Sequence, residues 1–183
     1  GGLMVYLSDP DILSPEDTLT VYFNTLKKMN LEEMSSYLGV VDIMNTSDSV
    51  KNSIAEALVE QVHKNFNFKI KTSSVNGYNA TVTTEITTFD SNAILSDYQH
   101  SLDDYLASPD SVIDGSQKRY DKSLDLLLKS IESNTASATS DVDFVLINDG
   151  TSWKLQDEGR TLGDAIFGTL TTSPLDDSSD SES

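Results

Sequence analysis

Cysteine is absent from this chain of 183 residues. That absence removes disulfides, thiolate nucleophiles and Cys-ligated metal sites from consideration. It leaves the compartment open, because exported bacterial domains can also lack cysteine. Basic residues are scarce: 12 Lys plus Arg stand against 30 Asp plus Glu, for a formal net charge of −18. Such a field repels phosphate backbones and anionic headgroups, so neither nucleic acid nor a membrane surface is an expected partner. Solubility is its simplest consequence, and attraction of cationic partners the alternative. No stretch approaches the ~20 apolar residues of a membrane span. The longest N-terminal apolar run, Leu3-Met4-Val5-Tyr6-Leu7, has no basic flank and is too short for an intact signal peptide. A surface rich in Ser, Thr, Asn and Asp but poor in Lys and Arg suits an exported protein.

What is present suits one globular domain. The length allows a single sizeable core, and 37% hydrophobic residues can fill it. Residues 1–13 read as a linker to an anchor, or a cloning remnant, ending in Asp9-Pro10-Asp11. Ser14-Pro15-Glu16-Asp17 then carries a cap, a proline suited to a first helical position and two acids for the positive end of the dipole. Leu19, Tyr22, Phe23, Leu26 and Met29 follow at helical spacing. A short second helix is expected over 31–39, capped by Asn30 and ended by Gly39. A third begins near Ser47-Asp48 and buries Val50, Ile54, Ala57, Leu58, Gln61 and Val62.

The period then changes to two. Phe66, Phe68 and Ile70 alternate with polar residues, Asn76-Gly77 signals a type I′ turn, and Ala80, Val82, Thr84, Ile86 and Thr88 return. Two more helices are expected, marked by Ile94, Tyr98, Leu102 and Tyr105 and by Tyr120, Leu124, Leu127, Leu128 and Ile131. A loop from Ser108 to Gly115 separates them. A second hairpin follows, with Val142, Phe144 and Leu146 going out, Asn148-Asp149-Gly150 turning, and Trp153 and Leu155 coming back. Leu162, Ala165, Ile166 and Leu170 indicate a short last helix. The predicted domain is therefore 14–172 and of α+β class, with N-terminal helices on a curved antiparallel sheet and a helical insertion, 91–134, between two hairpins. Residues 173–183 form an acidic tail expected to be disordered.

The order of elements resembles the cone-shaped nuclear transport factor two-like, or cystatin-like, fold. The resemblance is carried by Ser14 to Thr18 and Tyr22 to Met34, and by Trp153-Lys154-Leu155 with Leu162 to Gly168. It spans 14–90 and 138–170, and the helices over 91–134 depart from it. It implies a sheet wrapped against helices, with a pocket where the cone is open. The lipoprotein members it resembles further imply an anchoring cysteine upstream and a place on the outer face of a Gram-positive membrane. The resemblance implies no particular reaction.

Candidate chemistry is sparse. His63 follows Glu60 by three residues, half of a carboxylate-bridged metal pattern that has no second half here. His100 has Asp97 and Asp104 on its helix face, a trio able to hold a cation, although an ordinary acidic helix surface explains it equally simply. Asp110, Asp114, Gly115 and Asp121 fall at positions one, five, six and twelve of an EF-hand loop, but Val112 offers no oxygen at position three. The cone resemblance implies a tyrosine paired with an acid. Tyr22 is its catalytic candidate, and Tyr22, Tyr37 and Tyr78 its ligand-binding candidates, with no carboxylate identifiable to complete the pair. No cofactor is expected. Asn45 and Asn79 open glycosylation sequons by letters only.

The leading expectation is a non-catalytic exported domain that binds an unknown protein or a small molecule, reaching the membrane only through a lipid anchor outside this chain. The alternatives are a cone-pocket isomerase or dehydratase and a homodimerisation module. An enzyme requires a pocket with a buried carboxylate. A dimerisation module requires a filled interior and an apolar sheet face.

Overall fold

The computed structural model describes residues 12–28, 30, 49–157, 160–168 and 170. The expected helix over 31–39, with Tyr37, lies outside those residues, as do most of the linker and the acidic tail. Helix α1 (Pro15–Leu26) starts as its sequence dictates. The Ser14 side chain accepts from Asp17 N at 3.0 Å, and Pro15 occupies the first turn. Its stripe places Leu19, Phe23 and Leu26 fully inside. Helix α2 (Ser49–Asn65) buries Ile54, Leu58, Gln61 and Val62.

Four strands form one antiparallel sheet in the order β1 (Asn67–Asn76), β2 (Asn79–Phe89), β3 (Ser137–Asn148) and β4 (Trp153–Leu155). On β2 the core face is Ala80, Val82, Thr84, Ile86 and Thr88, all buried, as period-two alternation requires. The first turn differs from expectation. Asn76 pairs with Asn79, so the two-residue loop is Gly77-Tyr78 and not Asn76-Gly77. Gly77 has φ +66°, and both common hairpin turns need positive φ at that first central position. The strands also run further than their apolar patterns. Thr72–Asn76 and Ser137–Asp141 are exposed and polar, yet ladder pairing with β2 holds them extended. Lys71 is an extra residue where the register of β1 shifts, a bulge that bends and twists an edge strand.

β2 and β3 pair along eleven residues, from Asn79↔Ile147 to Phe89↔Ser137. The chain between them leaves and returns at neighbouring points, where Asp90 N donates to Ala136 O at 2.9 Å. This excursion is the expected helical insertion. It comprises α3 (Ser91–Leu106), capped by the Asp90 carboxylate on Ala93 N, and α4 (Pro109–Glu132). The expected loop from Ser108 to Gly115 is instead largely helical. Pro109 starts α4, and the break falls at Gly115 alone, with φ +77° and ψ 173°; a side chain is strained there. Helix α5 (Arg160–Phe167) closes the chain against β2, burying Leu162, Ile166 and Phe167.

One core cluster joins all these elements. Beneath the sheet, Phe23 meets Phe68, Phe144 and Phe66 at ring distances of 4.7, 5.5 and 5.8 Å. At its other end a polar hub lies inside the packing. Gln61, 2% exposed, donates through Nε2 to Ile131 O at 3.0 Å and to Asn134 O at 3.3 Å. Its Oε1 accepts from Asn134 Nδ2 at 2.9 Å and from Asn65 Nδ2 at 3.2 Å. Ile131 O is among the carbonyls that a helix end leaves without an intrahelical partner, so α2 caps α4. Replacing Gln61 by Leu keeps the volume and strands these groups, at about 1–3 kcal/mol for buried polar atoms left unmade. Thermal unfolding followed by circular dichroism should show a midpoint lowered by several degrees. An unchanged midpoint would show that the hub contributes nothing net.

Candidate functional site

Three regions could carry function: the space between sheet and helices, the outer face of the sheet, and the helical hairpin α3–α4. The first is filled. Leu19, Phe23, Val82, Ile86, Phe144 and Leu146 occupy it, each 1% exposed or less. The buried polar side chains among the described residues are Thr18, Gln61, Thr84, Thr88, Ser111 and Ser130, none of them ionisable at neutral pH. Thr88 Oγ1 donates to Ile166 O at 2.8 Å. Thr84 Oγ1 is buried on the core face without a hydrogen-bond partner. Tyr22 is half-buried at the margin of this core, beside Lys154. The Lys154 pKa is raised, first by its hydrogen bond and ion pair with Asp149 and only slightly by Tyr22. Tyr78 sits elsewhere, 71% exposed in the β1–β2 turn, with its carbonyl accepting from Asn148 N at 2.8 Å.

The outer sheet face is polar. Thr83 Oγ1 donates to Asp143 at 2.6 Å, Thr87 and Thr139 share a hydrogen bond of 2.9 Å, and Lys71 pairs with Asp141 at 3.0 Å. At the second hairpin the Asp149 carboxylate accepts from Lys154, Thr151 and Ser152. These donors, Lys154 first, hold its pKa well below the usual carboxylate range. The charge therefore fixes a turn.

The helical hairpin holds the other sequence candidates and distributes them. His100 Nε2 lies 3.6 Å from Asp104, with both side chains more than 70% exposed. Asp97 faces another way, into an open groove of about 430 Å³ between α3 and α4, with Ser101, Leu126, Lys129 and Glu132. The Asp110–Gly115 stretch is a helical turn ended by the Gly115 break, and Asp114 is engaged by Tyr105, whose hydroxyl donates to Oδ2 at 2.6 Å. Asp121 accepts from Gln117 along the helix at 3.1 Å. Among the described residues, no group of three His, Asp or Glu is gathered where it could hold a metal ion. No described helix is long and apolar enough to cross a membrane.

Sequence reasoning did not single out the hairpin tip. Leu106 is 48% exposed, and Val112 and Ile113 are each 79% exposed. The available signal was an adjacent Val-Ile pair between aspartates, outside either helical stripe.

No known protein family matches the chain, and no curated relative does. Among solved structures it is similar to the candidate lipoprotein ycdA of Bacillus subtilis, at 16% sequence identity and a TM-score of 0.49. The match covers 84% of this chain and 47% of that one, so the chain spans about half that protein's length.

The Tyr105 hydroxyl provides a test of the tip geometry. Its hydrogen bond to Asp114, followed by partial desolvation, pushes the phenol up to about 12. A pKa raised above the unfolded value of about 10 means that the contribution to stability is complete below pH ~10 and lost as pH climbs through ~12. Ultraviolet titration should show a late phenol ionisation near pH 12 that Tyr105→Phe removes. Persistence of that late step in the variant would place the raised phenol elsewhere.

Proposed function

We propose that this chain is a non-catalytic, exported domain held at the outer face of the cell membrane, acting by binding a partner through its surface. The carrying observation is the interior. The place where a cone-pocket enzyme would keep its acid and base is packed with Phe, Leu, Ile and Val side chains, with no carboxylate among the described residues that line it. A proton-transfer enzyme needs an enclosed pocket and a group of shifted pKa inside it. The acidic, cysteine-free composition supports the exported setting. Helix α1 packed on β1, β2 and β4 supports the cone-like architecture. The polar outer face, with its Thr, Asp and Lys pairs, disfavours pairing of two copies through the sheet. The open α3–α4 groove is the second place where a small polar ligand could lodge, and Asp97, Lys129 and Glu132 would read its charge.

The experiment is a titration of methyl-labelled protein with benzene and with indole, watching Val82, Ile86 and Leu146. A dry, open apolar cavity takes up such probes, and a filled one does not. These methyl resonances should stay in place to the solubility limit of both probes. Saturable movement would reveal a pocket under the sheet and revive the enzyme reading.

A further inference from the structure

The hairpin tip combines two properties that seldom coincide on a surface with no partner. It exposes large aliphatic side chains, and it is held rigid. Val112 and Ile113 project from the first turns of α4, with Leu106 across the connection at the end of α3. Beneath them Ser111 is 3% exposed, and its hydroxyl lies 3.0 Å from both Leu106 O and Ser108 O. Arg119 Nη1 reaches back across the Gly115 break to donate to Ser111 O at 2.6 Å. Tyr105 donates to Asp114 at 2.6 Å, and Ser108 Oγ to Tyr105 O at 2.5 Å. Solvated loops with no role in contact do not require such bracing. A surface ordered before binding loses less entropy when it binds.

Charge decides which occupant fits. Between residues 103 and 114 the chain carries Asp103, Asp104, Asp110 and Asp114 and no Lys or Arg. Two copies meeting tip to tip would bring like charges together, and anionic lipid would be repelled in the same way. Resting on the partner-binding reading above, we propose that this tip docks into a protein surface that offers an apolar pocket edged by Lys and Arg. Val112, Ile113 and Leu106 are the anchors, and the aspartates form the rim. Apolar anchors within a charged rim give affinity at the centre and orientation at the edge.

A short amphipathic helical peptide, with Leu along one face and Lys along the other, supplies this chemistry as a probe. Added to the full methyl-labelled chain, it should bind saturably and shift the resonances of Leu106, Val112 and Ile113. The double variant Val112→Ser, Ile113→Ser should weaken it at least about tenfold without altering the unfolding midpoint, since both positions are exposed. Affinity should fall as salt rises above about 0.15 M, and a peptide with Glu in place of Lys should not bind. The proposal is overturned if the Lys peptide fails to bind, if its shifts fall on the sheet or the α3–α4 groove, or if the double variant binds it unchanged. It is equally overturned if the tip resonances move with protein concentration alone or with phosphatidylcholine vesicles. Saturable binding elsewhere on the surface would spare the partner-binding reading. Uptake of benzene or indole beneath the sheet would remove that reading while leaving the tip result to stand by itself.

Discussion

The side chain of Gln61 sets the relation between the two halves of this molecule. An insertion of more than forty residues between paired strands needs two things to behave as part of the domain: its ends must meet, and its body must be fastened to something outside itself. Strand pairing satisfies the first, with Phe89 opposite Ser137 and Asp90 N bonded to Ala136 O. Gln61 satisfies the second. It reaches from α2 to the last carbonyls of α4 and to Asn134, whose own amide turns back to Ala136 O at 2.9 Å. Around it Leu124, Leu127 and Ile131 of α4 join the core of α2. A buried amide is favourable only when its partners are present, so this network specifies one docking arrangement rather than a family of sliding ones.

The functional reading follows from that fastening. Because α4 is fixed at its C-terminal end, the opposite end of the hairpin is carried to a defined place, and the bonds of Tyr105, Ser111 and Arg119 keep it ordered there. Meanwhile the aromatic packing of Phe23 with Phe66, Phe68 and Phe144 fills the space under the sheet. The fold thus spends its interior on stability and turns its unusual chemistry outward.

Much of the architecture was legible in the sequence, and the reason is periodicity. The cap at Ser14, the stripe of α1, the alternation of β2 and the helical identity of the insertion each follow from one repeating relation between side chains. Gln61 itself falls on the buried stripe of α2. What escaped has a physical cause in each case. Thr72–Asn76 and Ser137–Asp141 are strand by virtue of their neighbours, so no alternation marks them. Gly77-Tyr78 takes the turn because strand register places Asn76 opposite Asn79, a tertiary fact. Residues 109–114 were expected as loop because Pro, Asp and Gly punctuate them, yet proline also starts helices. The candidate sites were less legible. Helix spacing can put His100 beside Asp104, but it cannot show that Asp97 turns toward the groove or that Tyr105 engages Asp114. Nor does hydrophobicity alone distinguish an exposed valine from a buried one, and this kept the tip hidden.

The central claim is that the hairpin and the sheet form one cooperative unit, joined through α2. Native-state amide hydrogen exchange tests it most directly, because it measures the free energy of opening element by element. The account predicts that amides of Leu124 to Ile131 and those of central β2 exchange only through the same global opening, with matching free energies. If the α4 amides exchange at a markedly lower free energy than those of β2, the hairpin opens by itself, and the rigid presentation of its tip is contradicted.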